Sequence, residues 1–140
     1  MLNEEVRKIM TTNPVVAEPS NSIKDVTELM KKNTLQQIPV VKSGKLVGLI
    51  TSYDLWNHIR QNSEGDNTSI QDVMTSNVLT IRPKDKVGTA AELFIDRRFK
   101  TLPVVNLDND LKGVVTAFDV IKHVFKKEYP NPILYKEELE

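Results

Sequence analysis

Gly48-Leu49-Ile50-Thr51-Ser52-Tyr53-Asp54 and Gly113-Val114-Val115-Thr116-Ala117-Phe118-Asp119 share one pattern: glycine, two apolar residues, threonine, a variable residue, an aromatic and aspartate. The apolar run reads as the end of a strand, and Thr-x-x-Asp as the start of the helix that follows it. Outward from this pair the chain repeats itself, and self-similarity at a fixed period signals a duplicated structural unit. His58 matches His123 and Leu46 matches Leu111 at the same offset of 65. Upstream the offset is 64. It pairs Met10-Thr11-Thr12-Asn13 with Met74-Thr75-Ser76-Asn77, Pro19 with Pro83, and Pro39-Val40-Val41 with Pro103-Val104-Val105.

Each unit reads as strand, helix, strand, strand, helix. Val15 to Ala17 and Leu79 to Ile81 are short extended pieces closed by Pro19 and Pro83, because proline ends a strand ladder. In the first helix Ser22 and Asp25 form a capping box, and Ile23, Val26, Leu29 and Met30 share one face. In the second, Asp85 is the expected cap, and Val87, Ala90, Ala91, Phe94 and Ile95 the expected buried face. Ile38 to Val41 and Leu102 to Val105 have the apolar, β-branched character of strands covered on both sides. Ser43-Gly44 and Asp108-Asn109 are turn residues leading into their partner strands. Ser69 and Asp72 offer another capping box, for a short lead-in helix before the second unit, equivalent to Asn3 to Met10 before the first. The expected fold is therefore mixed α/β (α+β). It has two pseudo-symmetric β-α-β-β-α repeats packed through their sheets: residues 1–62 with a lead-in helix, a linker over 63–68, the second repeat over 69–127, and a polar tail over 128–140.

Composition narrows the function classes. The chain has 140 residues, 19 basic against 19 acidic side chains, two histidines and no cysteine. Thiolate catalysis, cysteine zinc sites and disulfides are excluded. Both halves are balanced, with 8 basic and 8 acidic residues over 1–70 and 11 of each over 71–140, which argues against a duplex nucleic-acid surface. No apolar run reaches the ~20 residues of a membrane span, and no signal pattern opens the chain, so a cytoplasmic location is expected. Known hydrolase and nucleotide-loop motifs are absent, and the expectation is a protein that is not an enzyme.

The repeated polar residues admit two readings. A helix N-terminus favours an anion such as phosphate, a Thr hydroxyl can donate to it, and an Asp one turn on can accept from the vicinal hydroxyls of a ribose. Thr and Asp in these places are equally ordinary helix caps. His58 and His123 lack a companion ligand one turn on, which favours a packing or interfacial role over a metal. Trp56 and Ile121 belong on a helix face that a second copy could meet.

The doubled unit, with its Met-Thr-x-Asn opening, its Pro-Val-Val strand and its Gly-apolar-apolar-Thr-x-x-Asp ending, resembles a tandem pair of CBS domains, a Bateman module, over about residues 6 to 127. The resemblance implies clefts that bind adenosine-containing ligands and a homodimer of such pairs. By position, one cleft would join Thr116, Phe118 and Asp119 to Thr12, Val15 and Gln36, with Val114 flanking the base. The other would join Thr51, Tyr53 and Asp54 to Ser76, Leu79, Arg98 and Lys100, with Leu49 flanking. The cationic stretch Arg97-Arg98-Phe99-Lys100 replaces Asn33-Thr34-Leu35-Gln36 of the first repeat and makes the Asp54 cleft the expected tighter one for AMP, ADP or ATP, since charge-assisted contacts to phosphate are the stronger ones; the alternative reading is that these cations only solvate a helix end and favour its dipole. S-adenosylmethionine is the less favoured ligand, its sulfonium being disfavoured by those cations. No prosthetic group is implied. The expected function is a stand-alone regulatory module that conveys ligand state to a partner protein of unknown identity. A purely structural dimerisation module and a single-stranded RNA binder are the alternatives, the latter weakened by having only eight aromatic residues.

Overall fold

Ser22 and Asp25 close their capping box, Ser22 Oγ accepting from the Asp25 N–H at 3.1 Å and Asp25 Oδ2 from the Ser22 N–H at 3.2 Å. They start α1 (Ile23–Asn33), which turns Ile23, Val26 and Met30 inward. The computed structural model describes residues 1–61, 67–97 and 100–129. After α1 come β1 (Gln37–Lys42), β2 (Lys45–Thr51) and α2 (Ser52–Gln61), and in the second repeat α3 (Val87–Arg97), β3 (Thr101–Val105), β4 (Leu111–Thr116) and α4 (Ala117–Glu128). The lead-ins are single 3-10 turns, Val6–Lys8 and Ile70–Asp72.

β1 and β2 pair antiparallel, with Ile38 opposite Ile50 and Val40 opposite Gly48. Ser43 and Gly44, both at positive φ (52° and 80°), make the tight turn between them, the geometry whose twist suits a two-residue hairpin. In the second hairpin Asn109 takes the positive φ, 65°, and the Asn106 side-chain oxygen accepts from the Asp108 and Asp110 N–H groups.

Four expectations are corrected. The opening strands shrink to one residue each: Ala17 bridges Val40 and Ile81 bridges Val104, both parallel, beside two-stranded sheets. Prolines 14, 19 and 83 crowd these segments, so only a short stretch can pair. Asp85 does not cap α3; it accepts from the Arg82 N–H at 2.8 Å, while the Val87 and Gly88 N–H groups at the helix start go to the carbonyls of Glu4 and Leu2, both at 2.8 Å. Ile95 is exposed, because a residue next to Phe94 is rotated about 100° out of the stripe formed by Val87, Ala90 and Phe94. Ser69 accepts from Gln71 N–H rather than closing a box with Asp72, since a three-residue turn tightens the spacing.

The chain forms two compact units: Met1–Thr12 with Thr80–Val104 and the chain from Lys112 onward, and Asn13–Leu79 with Val105–Leu111. Each takes the lead-in of one repeat with the body of the other. In the second unit Ile70 of the lead-in joins Ile23, Val26, Ile38, Val40 and Ile50 in one apolar core. In the first, Val6 is as completely buried as Val87, Leu102, Val104 and Val115. The expected linker lies largely outside the described residues, as does the tail beyond Tyr129.

Candidate functional site

Where β2 runs into α2, Thr51 and Asp54 bind each other twice. Asp54 N–H donates to Thr51 Oγ1 and Thr51 N–H to Asp54 Oδ2, both at 3.0 Å. At the β4–α4 junction Asp119 N–H donates to Thr116 Oγ1 at 3.0 Å and Thr116 N–H to Asp119 Oδ2 at 2.9 Å. Both aspartates and both threonines are half-buried. A capping box satisfies two helix-start donors reciprocally, and it does so with only part of each side chain. A threonine oxygen that accepts still carries a hydrogen to donate, and a carboxylate has a second oxygen. Capping and ligand binding are therefore compatible in one Thr-x-x-Asp pair, and the cap orients the atoms that a ligand would meet.

The lead-ins reach these junctions from the other repeat. In the second unit Leu49 and Thr75 exchange backbone hydrogen bonds, 2.9 Å and 3.0 Å, and in the first Thr11 and Val114 do the same, 2.8 Å and 3.0 Å. The glycines that open the pattern permit this approach. A Cβ on Gly113 would stand 2.5 Å from the Thr11 carbonyl oxygen, and one on Gly48 2.5 Å from Met74 Sδ and 2.9 Å from the Thr75 oxygen.

The second unit thus gathers Leu49, Thr51, Tyr53 and Asp54 with the segment carrying Ser76 toward Leu79, and the first gathers Val114, Thr116, Phe118 and Asp119 with the segment carrying Thr12. Val15 and Gln36, expected with Asp119, belong to the unit of Asp54, where the Gln36 carbonyl accepts from the Ser52 N–H at 2.8 Å. Lys100, expected with Asp54, belongs to the unit of Asp119, and its carbonyl accepts from Ala117 N–H at 3.3 Å. Arg98 lies outside the described residues. Tyr53 and Phe118 are two-thirds exposed (66% and 67%) at equivalent positions, so aromatic surface lies one residue from each aspartate.

Sequence reasoning missed one cluster. His123 Nε2 lies 2.9 Å from Glu4 Oε2, whose other oxygen is 3.5 Å from Lys127 Nζ, and 3.2 Å from the Met1 carbonyl oxygen. Partial burial pushes the Glu4 carboxyl upward, but Lys127 and His123 together outweigh that and hold it below the ordinary carboxylate range. No local signal joins residue 4 to residue 123; only the packing of the lead-in on α4 does. Among the described residues no three His, Asp or Glu side chains gather as a metal site, and no helix is long and apolar enough to cross a membrane.

A family model described as the CBS domain matches residues 6–55 and 70–126. Protein MJ1225 of Methanocaldococcus jannaschii is 33% identical over 132 residues, covering 86% of this chain and 47% of its own. The chain spans about half the length, or less, of the first curated relatives it matches. Among solved structures, CBSX2 (from Arabidopsis thaliana) in complex with AMP superimposes with a TM-score of 0.80 at 29% identity, covering 89% of this chain and 98% of that one. The CBS pair of protein MJ0100, in complex with 5-methylthioadenosine and S-adenosyl-L-methionine, gives 0.76 at 30%, covering 89% and 97%. With both repeats matched, and with the glycines, threonines and aspartates of the pattern standing at equivalent strand-to-helix junctions, the chain belongs to the CBS-domain family as a tandem pair.

Proposed function

We propose that this CBS pair is a non-catalytic sensor of adenosine-containing ligands, AMP, ADP or ATP ahead of S-adenosylmethionine, and that it conveys ligand state to a partner protein. The observation that carries the reading is the doubled Thr-x-x-Asp cap. Each presents a hydroxyl hydrogen, a carboxylate oxygen and a helix N-terminus on one short turn, the set that a nucleotide's phosphate and ribose require. Solved CBS pairs of similar fold that hold AMP, or S-adenosylmethionine with methylthioadenosine, support it. Phosphorylated ligands rank first because a helix N-terminus favours an anion at each Thr-x-x-Asp turn. Signalling requires that ligand bind two states of the protein with different affinity.

The test is a thermal-shift and calorimetry series with AMP, ADP, ATP, S-adenosylmethionine and adenosine. A ligand at 100 times its Kd adds about 2.7 kcal/mol, a rise of several degrees for a chain of this length. A rise with a phosphorylated ligand that exceeds that with adenosine is the expected result. No rise with any of them would reduce Thr51, Asp54, Thr116 and Asp119 to helix caps.

Homodimerisation is proposed alongside, from the apolar helix surfaces. α2 exposes Trp56 and Ile59 beside a groove of about 350 Å³ lined by Met30, Leu35 and Leu55, and α4 exposes Ile121 and Phe125. Exposed apolar helix surface of this kind marks interaction sites. Light scattering is expected to give twice the 15.9 kDa of one chain and to give the monomer mass for Trp56→Glu or Ile121→Glu; a monomeric wild type would end this reading.

A further inference from the structure

Glu4 and His123 lie far apart in the chain, and their contact closes a loop around the lead-in segment of the first unit. The segment is pinned at both ends. At one end Glu4 meets His123 Nε2 at 2.9 Å, the Met1 carbonyl meets the same nitrogen at 3.2 Å, and Lys127 Nζ takes the second Glu4 oxygen at 3.5 Å. At the other, Thr11 exchanges two backbone bonds with Val114 of β4. Between the pins Val6 and Arg7 donate to the carbonyls of Asp85 and Pro83 at 2.7 Å and 2.9 Å. Asp119 and His123 stand four residues apart on α4, which puts them on one face in successive turns. The helix that carries the candidate ligand carboxylate therefore also carries the anchor for the segment that delivers Thr12. The His123 side chain is 11% exposed and that of Glu4 32%, so packing covers the histidine side of the contact while the carboxylate side still meets water.

We infer that Glu4 and His123 are positioning residues: they latch residues 1–12 onto α4 and so set the affinity of the Thr12, Thr116 and Asp119 site. The consequence for affinity rests on the ligand-sensing reading above; the latch itself does not. The same latch makes the lead-in a point of control, because anything that draws Glu4 away from His123 loosens the segment beside β4.

Amide hydrogen exchange on the full chain tests the latch without any ligand. Glu4→Ala and His123→Leu are each expected to speed exchange of the Val6, Arg7, Thr11, Val87 and Gly88 amides about tenfold, with the double variant no faster than either single one. Leu49 and Thr75 in the other unit keep their wild-type rates. His123→Gln restores protection, because its amide nitrogen can donate from nearly the place of Nε2. Unchanged exchange at the five amides, or equal acceleration at Leu49 and Thr75, would overturn the proposal. Calorimetry with AMP then separates the two readings. If the wild type binds, Glu4→Ala weakens the Asp119 site about tenfold and leaves the Asp54 site alone; undiminished affinity despite faster exchange would refute the coupling. A wild type that binds neither AMP nor any of the other four adenosine ligands ends the ligand-sensing reading, and with it the affinity claim, while exchange still decides the latch.

Discussion

Gly113→Ala is expected to lower stability by about 3 kcal/mol, roughly 10 °C in Tm for a chain of this length. The added Cβ would stand 2.5 Å from the Thr11 carbonyl oxygen and 3.1 Å from Met10 Sδ. The nearest atom is backbone, held by the Thr11–Val114 pair, so relief means shifting the lead-in rather than rotating a side chain. Overpacking costs ~1–3 kcal/mol, and each backbone bond lost adds ~1 kcal/mol. Gly48→Ala is expected to cost less, since its closest contact, Met74 Sδ at 2.5 Å, is the far end of a flexible side chain, although the Thr75 oxygen at 2.9 Å still resists. Gly44→Ala is the control. It has open space around it but sits at φ +80°, where an L residue costs ~1 kcal/mol. Urea unfolding of the three variants gives the order Gly113, Gly48, Gly44; a Gly113→Ala no weaker than Gly44→Ala would mean that the lead-in does not press on β4.

That order also marks what the chain's pattern could and could not say. Among the described residues repetition places both hairpins and the four main helices, because Pro-Val-Val strands, a Ser-Gly turn and the Ser- or Thr-x-x-Asp caps of α1, α2 and α4 are local signals, whereas the start of α3 is satisfied by the Glu4 and Leu2 carbonyls of the lead-in. The exchange of lead-ins is a different kind of fact. Val6 and Ile70 are completely buried, yet periodicity says only that they are apolar, not which repeat covers them. The two glycines were the available trace: a strand interior without a Cβ signals close backbone approach, and the repeat of that glycine implied that the approach occurs twice. Ile95 was misplaced for a related reason, since the width of a buried stripe is set by the neighbouring surface and not by the helix. For the site, residue types and spacing gave both Thr-x-x-Asp pairs, whereas the contact of Glu4 with His123 depends wholly on tertiary packing and left no trace in either segment.

Asp119→Asn and Asp54→Asn are expected to separate the two duties of the cap, with affinity for a ribose-bearing ligand falling about 30- to 100-fold while stability falls by less than about 1 kcal/mol. An asparagine retains a side-chain oxygen that can accept from Thr116 N–H as Asp119 Oδ2 does at 2.9 Å, so the helix start keeps its closure. What it loses is the second carboxylate oxygen and the charge. Hydrogen bonds to charged groups are worth ~1.5–3 kcal/mol, and about 2–2.8 kcal/mol of that range corresponds to the stated loss in Kd. Asp119→Ala removes both duties and is expected to add the ~1 kcal/mol of a lost cap to the same loss of affinity. Titration of each variant with AMP, paired with its unfolding curve, reads the two effects independently. If the asparagine variants bind as the wild type does, the carboxylates serve the helices alone, and the ligand, where there is one, is held by other atoms.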